Sequence, residues 1–267
     1  MKKPRLKSKA PIIHDSQLAH KMQLWMEHEG SLKNAFKMPD GLSIFTAHNY
    51  DKKSLFERNL DFLGIHNYHV IKINMKPWNH TLRIKWFLEY LINDCKTELV
   101  LYCDADDVIL RSDPKELIKS FEYLNCKLIY NSTSWPHGYK CMPEIFDWVN
   151  KIHPKRYLNG GVFLGNRTFL ISVLKRFLQF TVNNPPSTKY FYENELEFKE
   201  SFPKGVGCDQ PILRYIEPEF YPNLIIDSQN LLFWRNDNKT EFQILWRKIK
   251  RMVPENYKRP FKKIIGL

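Results

Sequence analysis

A short run of apolar and aromatic residues, Leu99-Val100-Leu101-Tyr102-Cys103, stops abruptly on Asp104-Ala105-Asp106-Asp107. The run is rich in strand formers and shows no polar alternation, which predicts a strand buried on both faces. A buried strand that delivers acids to its carboxyl end is the usual way an open α/β sheet builds a ligand site. Like charges this close repel one another, and burying them without a partner is costly, so a divalent cation is a natural neutraliser. A solvated acidic turn is the plain alternative. An EF-hand loop fits badly, because Val108-Ile109-Leu110 stands where that loop needs a glycine and further oxygen ligands.

The flanking pattern supports a wound sheet. From His14 to Glu29, Leu18, Met22 and Trp25 recur at helical spacing and Gly30 closes the helix. Gly41 to Thr46 predicts a strand, and Phe56, Leu60 and Leu63 mark a helix that stops at Gly64. Val70 to Ile73 predicts the next strand, and Ile84, Phe87, Leu88 and Leu91 mark a helix between Thr81 and Ile92. Strand, helix, strand, helix, then the Leu99 strand implies parallel pairing through right-handed crossovers. Asp113-Pro114-Lys115-Glu116 is a helix start, with Asp as cap, Pro at the first helical position and Glu placed for a capping box. Further strands are expected at Lys127–Tyr130, Val162–Leu164 and Leu224–Ile226, with helices carrying Leu170, Leu174 and Phe177 and starting from Pro211. The polar, proline-broken stretch 183–207 is expected to be a long loop. The expectation is therefore an α/β chain with a mostly parallel sheet flanked by helices. A basic tip and leading helix occupy 1–40, one catalytic domain 41–238, and a basic aromatic tail 239–267.

The formal charge of +12 is concentrated at the two ends. Polarised charge of this kind favours an anionic partner such as nucleotide phosphates or an acidic membrane surface. In the tail, Trp246-Arg247-Lys248-Ile249-Lys250-Arg251 and Tyr257-Lys258-Arg259-Pro260-Phe261 interleave cations with aromatic and aliphatic residues. That composition suits a segment lying at an anionic membrane interface; a helix packed on the catalytic domain is the alternative. Nothing resembles a base-reading motif, so no nucleic-acid partner is expected. An odd number of cysteines, five, argues against a disulfide scaffold, and no apolar core of signal-peptide length follows the basic start. A reduced, cytoplasmic setting is expected, peripheral to a membrane's inner face if the tail binds there. The sequons at Asn79, Asn131, Asn166 and Asn238 are then chance matches.

After the acidic turn come Trp135-Pro136, Tyr157-Leu158-Asn159-Gly160-Gly161-Val162, and Gly207-Cys208-Asp209-Gln210, in that order. This ordered set resembles the GT-A nucleotide-sugar glycosyltransferases. More closely, it is similar to the glycosyltransferase domain of the procollagen lysyl hydroxylases and its stand-alone bacterial and viral relatives, over about Ile44 to Phe233. The resemblance implies a metal-dependent transferase moving a hexose from a UDP-sugar to a hydroxyl on a glycan or protein. Position by position, it makes Asp104 and Asp107 of the Asp-Xaa-Asp turn the holders of Mn²⁺ (or Mg²⁺). Asp106 is placed near the ribose or the metal's water shell, Thr46 faces the uridine, and Lys85 is offered to the diphosphate, although a solvated Lys on a polar face is equally consistent. Trp135 belongs to a loop that covers the donor, or else to the core. Consecutive glycines at 160 and 161 suggest a backbone that comes close to a ligand, with Asn159 hydrogen-bonding the donor sugar and a tight turn as the alternative. Asp209, followed by Gln210, would orient sugar hydroxyls or help activate the acceptor, where a helix cap is the bland reading.

One departure stands out. Relatives supply a histidine after the last strand as a further metal ligand, whereas here no His follows His153. Asn236, Asp237 or water are the candidate substitutes, and no histidine of this chain is singled out as a ligand. Two other functions share parts of the pattern. A haloacid-dehalogenase-type phosphatase would use Asp104 as nucleophile, although Val108 and the absence of a later Lys and acidic pair speak against it. A basic binding module without catalysis is the third possibility.

Overall fold

The computed structural model describes residue 4 and residues 8–30, 35–76, 78–136, 139, 142–179, 209–235 and 237. The expected loop 183–207 and the basic tail 239–267 lie outside these, as do His137, Gly138 and Cys208. The chain divides into compact units 1–235 and 236–267, and the description below concerns the first.

The elements run β1 (Ile12–His14), α1 (Ser16–Glu29), β2 (Leu42–His48), α2 (Leu55–Phe62), β3 (His69–Lys72), α3 (Arg83–Asn93), β4 (Leu99–Cys103) and β5 (Val108–Leu110). They continue α4 (Pro114–Tyr123), β6 (Leu128–Thr133), α5 (Pro143–Ile152), β7 (Tyr157–Asn166), α6 (Arg167–Leu178), α7 (Gln210–Phe220), β8 (Leu224–Ile226) and β9 (Phe233–Arg235). Six strands form the main sheet in the order β3-β2-β4-β7-β6-β8. β2 pairs in parallel with β3 and β4, β6 with β8, and β7 runs antiparallel to both its neighbours. The sheet is thus mostly parallel and flanked by helices, as the alternation predicts.

Period-two alternation explains the two cores. On one face Phe45, Val100, Tyr102, Tyr130 and Phe163 meet Phe87 and Leu91 of α3, Leu174 and Phe177 of α6, and Leu213 of α7. On the other, Ile44, Leu101, Cys103, Ile129 and Leu164 meet Phe56 and Leu60 of α2 and Leu117 and Phe121 of α4. Phe45 sits at the centre of the first, with ring centroids of Phe87, Tyr90 and Tyr102 at 5.4, 5.2 and 5.1 Å. A buried aromatic so placed contributes roughly 3–5 kcal/mol relative to alanine.

Helix punctuation follows the sequence signals. The Asp113 side chain accepts from the Lys115 amide with Pro114 in the first turn, and Gly30 and Gly64 take φ of +77° and +73° where the helices end. Ser54 and Glu57 form a capping box on α2.

Three elements depart from expectation. α5 was not anticipated. The segment from Tyr157 is one ten-residue strand, not a tight turn followed by a short strand. A separate sheet, β5-β1-β9, joins Ile12–His14 to Val108–Leu110 and Phe233–Arg235. The expected first helix therefore begins later, at Ser16, with Asp15 accepting from the Leu18 amide as its cap, and His14 is a strand residue. Three-residue strands are too short to show alternation. Among the sequons, Asn131 is fully buried and the Asn166 side chain caps α6. No helix among the described residues is long and apolar enough to cross a membrane.

Candidate active site

The acidic turn leaves β4 at the carboxyl end of the main sheet, between β2 and β7. Its entry is pinned twice: the Thr46 hydroxyl donates to the Cys103 carbonyl at 2.8 Å, and the Asp104 amide donates to the Gly161 carbonyl at 2.8 Å. One Asp104 oxygen, Oδ1, accepts from the Tyr102 hydroxyl at 2.7 Å and from Arg83 Nη1 at 2.8 Å. Arg83 Nη2 donates to Asp209 Oδ2, also at 2.8 Å. Arg83 is 2 % exposed and Asp209 3 %. A single buried guanidinium on α3 thus ties the acid that ends β4 to the acid that precedes α7. Burial opposes the charge on Arg83, but Tyr102, Asp209 and Asp104 hold its pKa well above the usual value. The Asp209 side chain makes no capping bond to α7, so the cap alternative does not describe it.

On the other side of the turn, His14 Nε2 lies 3.1 Å from Asp107 Oδ2. Burial works against the Asp107 anion, but His14 and Arg235 overcome it and lower its pKa to about 2. Donor atoms of His14, Asp104 and Asp107 all lie within 4.8 Å of one another. Gly161 explains how they come so close. A Cβ there would stand 2.4 Å from His14 Cε1 and 2.6 Å from Asp104 Oδ2, whereas one on Gly160 would meet only the Asp209 carboxylate and Leu213 at 3.4 Å. What comes close to the backbone at Gly161 is the acid cluster and the His14 ring. This cradle, with two carboxylate donors, fits a hard divalent cation. Gly161→Ala is expected to cut cation affinity and transfer by about 10²-fold, the scale of displacing a metal ligand's support, while Gly160→Ala is milder. Titrating each variant with Mn²⁺ checks the contrast.

The remaining anticipated residues divide. Asn159 is 4 % exposed and its Oδ1 accepts from the Gly161 amide at 3.2 Å, beside the cluster. Asp106 is exposed and accepts from the Tyr50 hydroxyl, and the Tyr50 ring stacks on His48 at 4.9 Å. His48 is in turn held by Glu57 at 2.6 Å. Trp135 is 41 % exposed, which excludes it from the core. Arg214 Nη2 donates to the Trp135 carbonyl at 3.1 Å and to Gln210 Oε1 at 3.3 Å, linking the Trp-Pro segment to the start of α7. Lys85 is exposed and not brought to the acids. Two residues beyond Arg83, it points some 200° around the helix. The guanidinium that joins Asp104 to Asp209 is that of Arg83. Asn236 lies outside the described residues, and Asp237 falls in the second unit.

Arg83, His14 and Arg235 were not found in the sequence. Arg83 did leave a signal: it stands four residues before Phe87, on the buried stripe of α3, where an unpaired charge is costly. His14 and Arg235 left none.

On α7, Glu217 is 1 % exposed; it accepts from the Tyr139 hydroxyl at 3.5 Å, and its Oε1 has no partner among the described residues. Burial raises its pKa from 4.5 to about 8, against the pull of Arg214. A carboxyl with a raised folded pKa contributes stability that is complete below the unfolded value and is lost as pH rises to the folded one. The melting temperature should therefore fall between pH 4.5 and about 8, and Glu217→Gln, a neutral isostere, should flatten that slope in thermal melts. An unchanged slope would show that Glu217 is ionised in the fold.

The family described as the PLOD GT domain matches residues 40–194. No curated protein matches. Among solved structures, the chain is similar to a glycosyltransferase involved in glycosylation of the major capsid of PBCV-1. The identity is 17 %, the TM-score 0.37, and the match covers 70 % of this chain and 81 % of that one. It is also similar to a 4-diphosphocytidyl-2C-methyl-D-erythritol synthase from Anaerococcus prevotii, at 9 % identity and a TM-score of 0.34, covering 80 % and 99 %.

Proposed function

Because the chain belongs to the PLOD GT domain family of glycosyltransferases, we propose that it transfers a hexose from a UDP-sugar to a hydroxyl group with the help of a divalent cation. Membership of that family removes the phosphatase reading. The observation that carries the proposal is the convergence of Asp104, Asp107, Arg83 and Asp209 at one end of the sheet. Asp104 and Asp107 would hold the cation. When bound, that ion neutralises the negative charge that develops on the diphosphate as the sugar bond breaks.

The protein's own residues supply the rest. Arg83 aims Asp104, because its guanidinium fork fixes two carboxylates at once. Asp209, held by the same fork, presents its carboxylate beside Gly160, where it would orient donor-sugar hydroxyls or assist the acceptor. Asn159 holds the Gly161 backbone and would reach the sugar. Thr46 positions the turn, and its place at the end of β2 is where the uridine would lie. Tyr50 and Asp106 form the exposed margin next to it, and Trp135 with Gln210 would cover the donor. The acceptor, a glycan or protein hydroxyl, and an anionic membrane contact through the tail are part of the same proposal; the tail itself lies outside the described residues.

The test is UDP release from a panel of UDP-sugars, with Mn²⁺, with Mg²⁺ and with EDTA. Turnover of at least one UDP-sugar that stops with EDTA and returns with added cation is the expected result. No UDP release from any of them would defeat the proposal.

A further inference from the structure

The sheet β5-β1-β9 carries a histidine into the acid cluster from the far end of the chain. Accepting that a divalent cation acts at Asp104 and Asp107, we infer that His14 is its third protein ligand, binding through Nε2. Three observations support this. His14 is 3 % exposed, and both of its ring nitrogens meet polar groups. Asn131 Nδ2 is 3.0 Å from Nδ1, Arg235 Nη1 is 3.1 Å from Nδ1 and 2.8 Å from Nε2, and Asp107 Oδ2 is 3.1 Å from Nε2.

Arg235 Nη1 lies within 3.1 Å of both ring nitrogens and so sits over the ring face, leaving the in-plane position of Nε2 to face Asp107. A cation between Nε2 and Oδ2 would accept a lone pair from each. The spacing suits this. Bonds of about 2.1 Å at octahedral angles put neighbouring ligand atoms about 3.0 Å apart, close to the 3.1 Å found. The third observation is Gly161, whose missing side chain makes room for His14 Cε1 and Asp104 Oδ2 together. Fully buried Asn131 holds the ring from its other side, its Nδ2 3.0 Å from Nδ1 while its Oδ1 accepts from the Ser132 amide at 2.7 Å.

One imidazole nitrogen beside two carboxylates leaves positions for diphosphate oxygens. It also favours Mn²⁺ over Mg²⁺, because nitrogen ligands discriminate against the harder ion. The segment before the first strand of the main sheet is then part of the metal centre.

The test uses the full chain, with Mn²⁺ and UDP, and reads electron spin echo modulation, which detects a nitrogen bonded to Mn²⁺. The wild type is expected to show a directly bound ¹⁴N that changes pattern when histidine is labelled with ¹⁵N. His14→Gln should lose that coupling and bind Mn²⁺ at least about 10-fold more weakly, with a smaller loss for Mg²⁺. The labelling needs no variant, so the answer does not depend on His14→Gln folding. Bound Mn²⁺ without histidine nitrogen coupling, or a His14→Gln protein with unchanged coupling, overturns the assignment and leaves the cation at Asp104 and Asp107 standing. A wild type that binds no Mn²⁺ with UDP and turns over in EDTA defeats the cation reading itself, and His14 with it.

Discussion

Asp107→Asn is expected to reduce UDP-sugar turnover by about 10³-fold or more, equivalent to roughly 4 kcal/mol of transition-state stabilisation. The substitution keeps the shape of the side chain and an oxygen that can accept from His14 Nε2, so the local hydrogen bond survives. What it removes is the charge. A neutral amide is a poor ligand for a hard cation, and the diphosphate would then depart without its counter-charge. Stability should fall measurably near neutral pH, because the ionised carboxylate is favoured in the fold by His14 and Arg235 and that contribution is present above the unfolded pKa. The fold should survive, since Asp107 is not part of either apolar core. Paired measurements of kcat with saturating Mn²⁺ and of thermal unfolding separate the two effects. Near-normal turnover in Asp107→Asn would remove this carboxylate from the mechanism.

Arg83 carries the second large expectation. Arg83→Met leaves Asp104 and Asp209 facing each other with no donor between them, in a region where Arg83 is 2 % and Asp209 3 % exposed. Breaking a buried ion pair by removing one partner costs about 3–5 kcal/mol, a large share of the stability of an ordinary domain. Arg83→Lys keeps one charge but cannot fork two carboxylates, and it should fold while losing about 10²-fold in kcat. Asp209→Asn separates structure from chemistry. The amide oxygen still accepts from Arg83 Nη2, so stability should fall modestly, while kcat drops by about 10²-fold with UDP affinity unchanged. Equal loss of UDP binding and of kcat would instead mark Asp209 as a brace for Arg83.

The main sheet was legible because its signals are local and strong. Leu99–Cys103 has the same bounds in the sequence and in the structure, and the helix stops at Gly30 and Gly64 and the cap at Asp113 do what their residue types require. The acids were legible for the same reason: Asp104, Asp106 and Asp107 stand together in the chain. The groups that act on them were not. Arg83 is 21 residues from Asp104 and 126 from Asp209, and His14 is 93 from Asp107. Their meeting is set by crossover geometry and by three-residue strands with no periodicity of their own. Arg83 went unremarked because a motif fixes a residue's position in the chain and leaves its face of the helix to packing.

The pairing of β1 with β9 has a consequence for how the enzyme comes into being. His14 and Arg235 are 221 residues apart, so during synthesis the first strand emerges from the ribosome long before its parallel neighbour exists. Closing so long a loop is slow and comes late in folding, after the local strand–helix units have formed. Cation binding at the His14 end of the site would therefore be acquired among the last steps. A nascent chain stalled before Phe233 could contain every acid of the turn and still lack the strand that holds His14 in register.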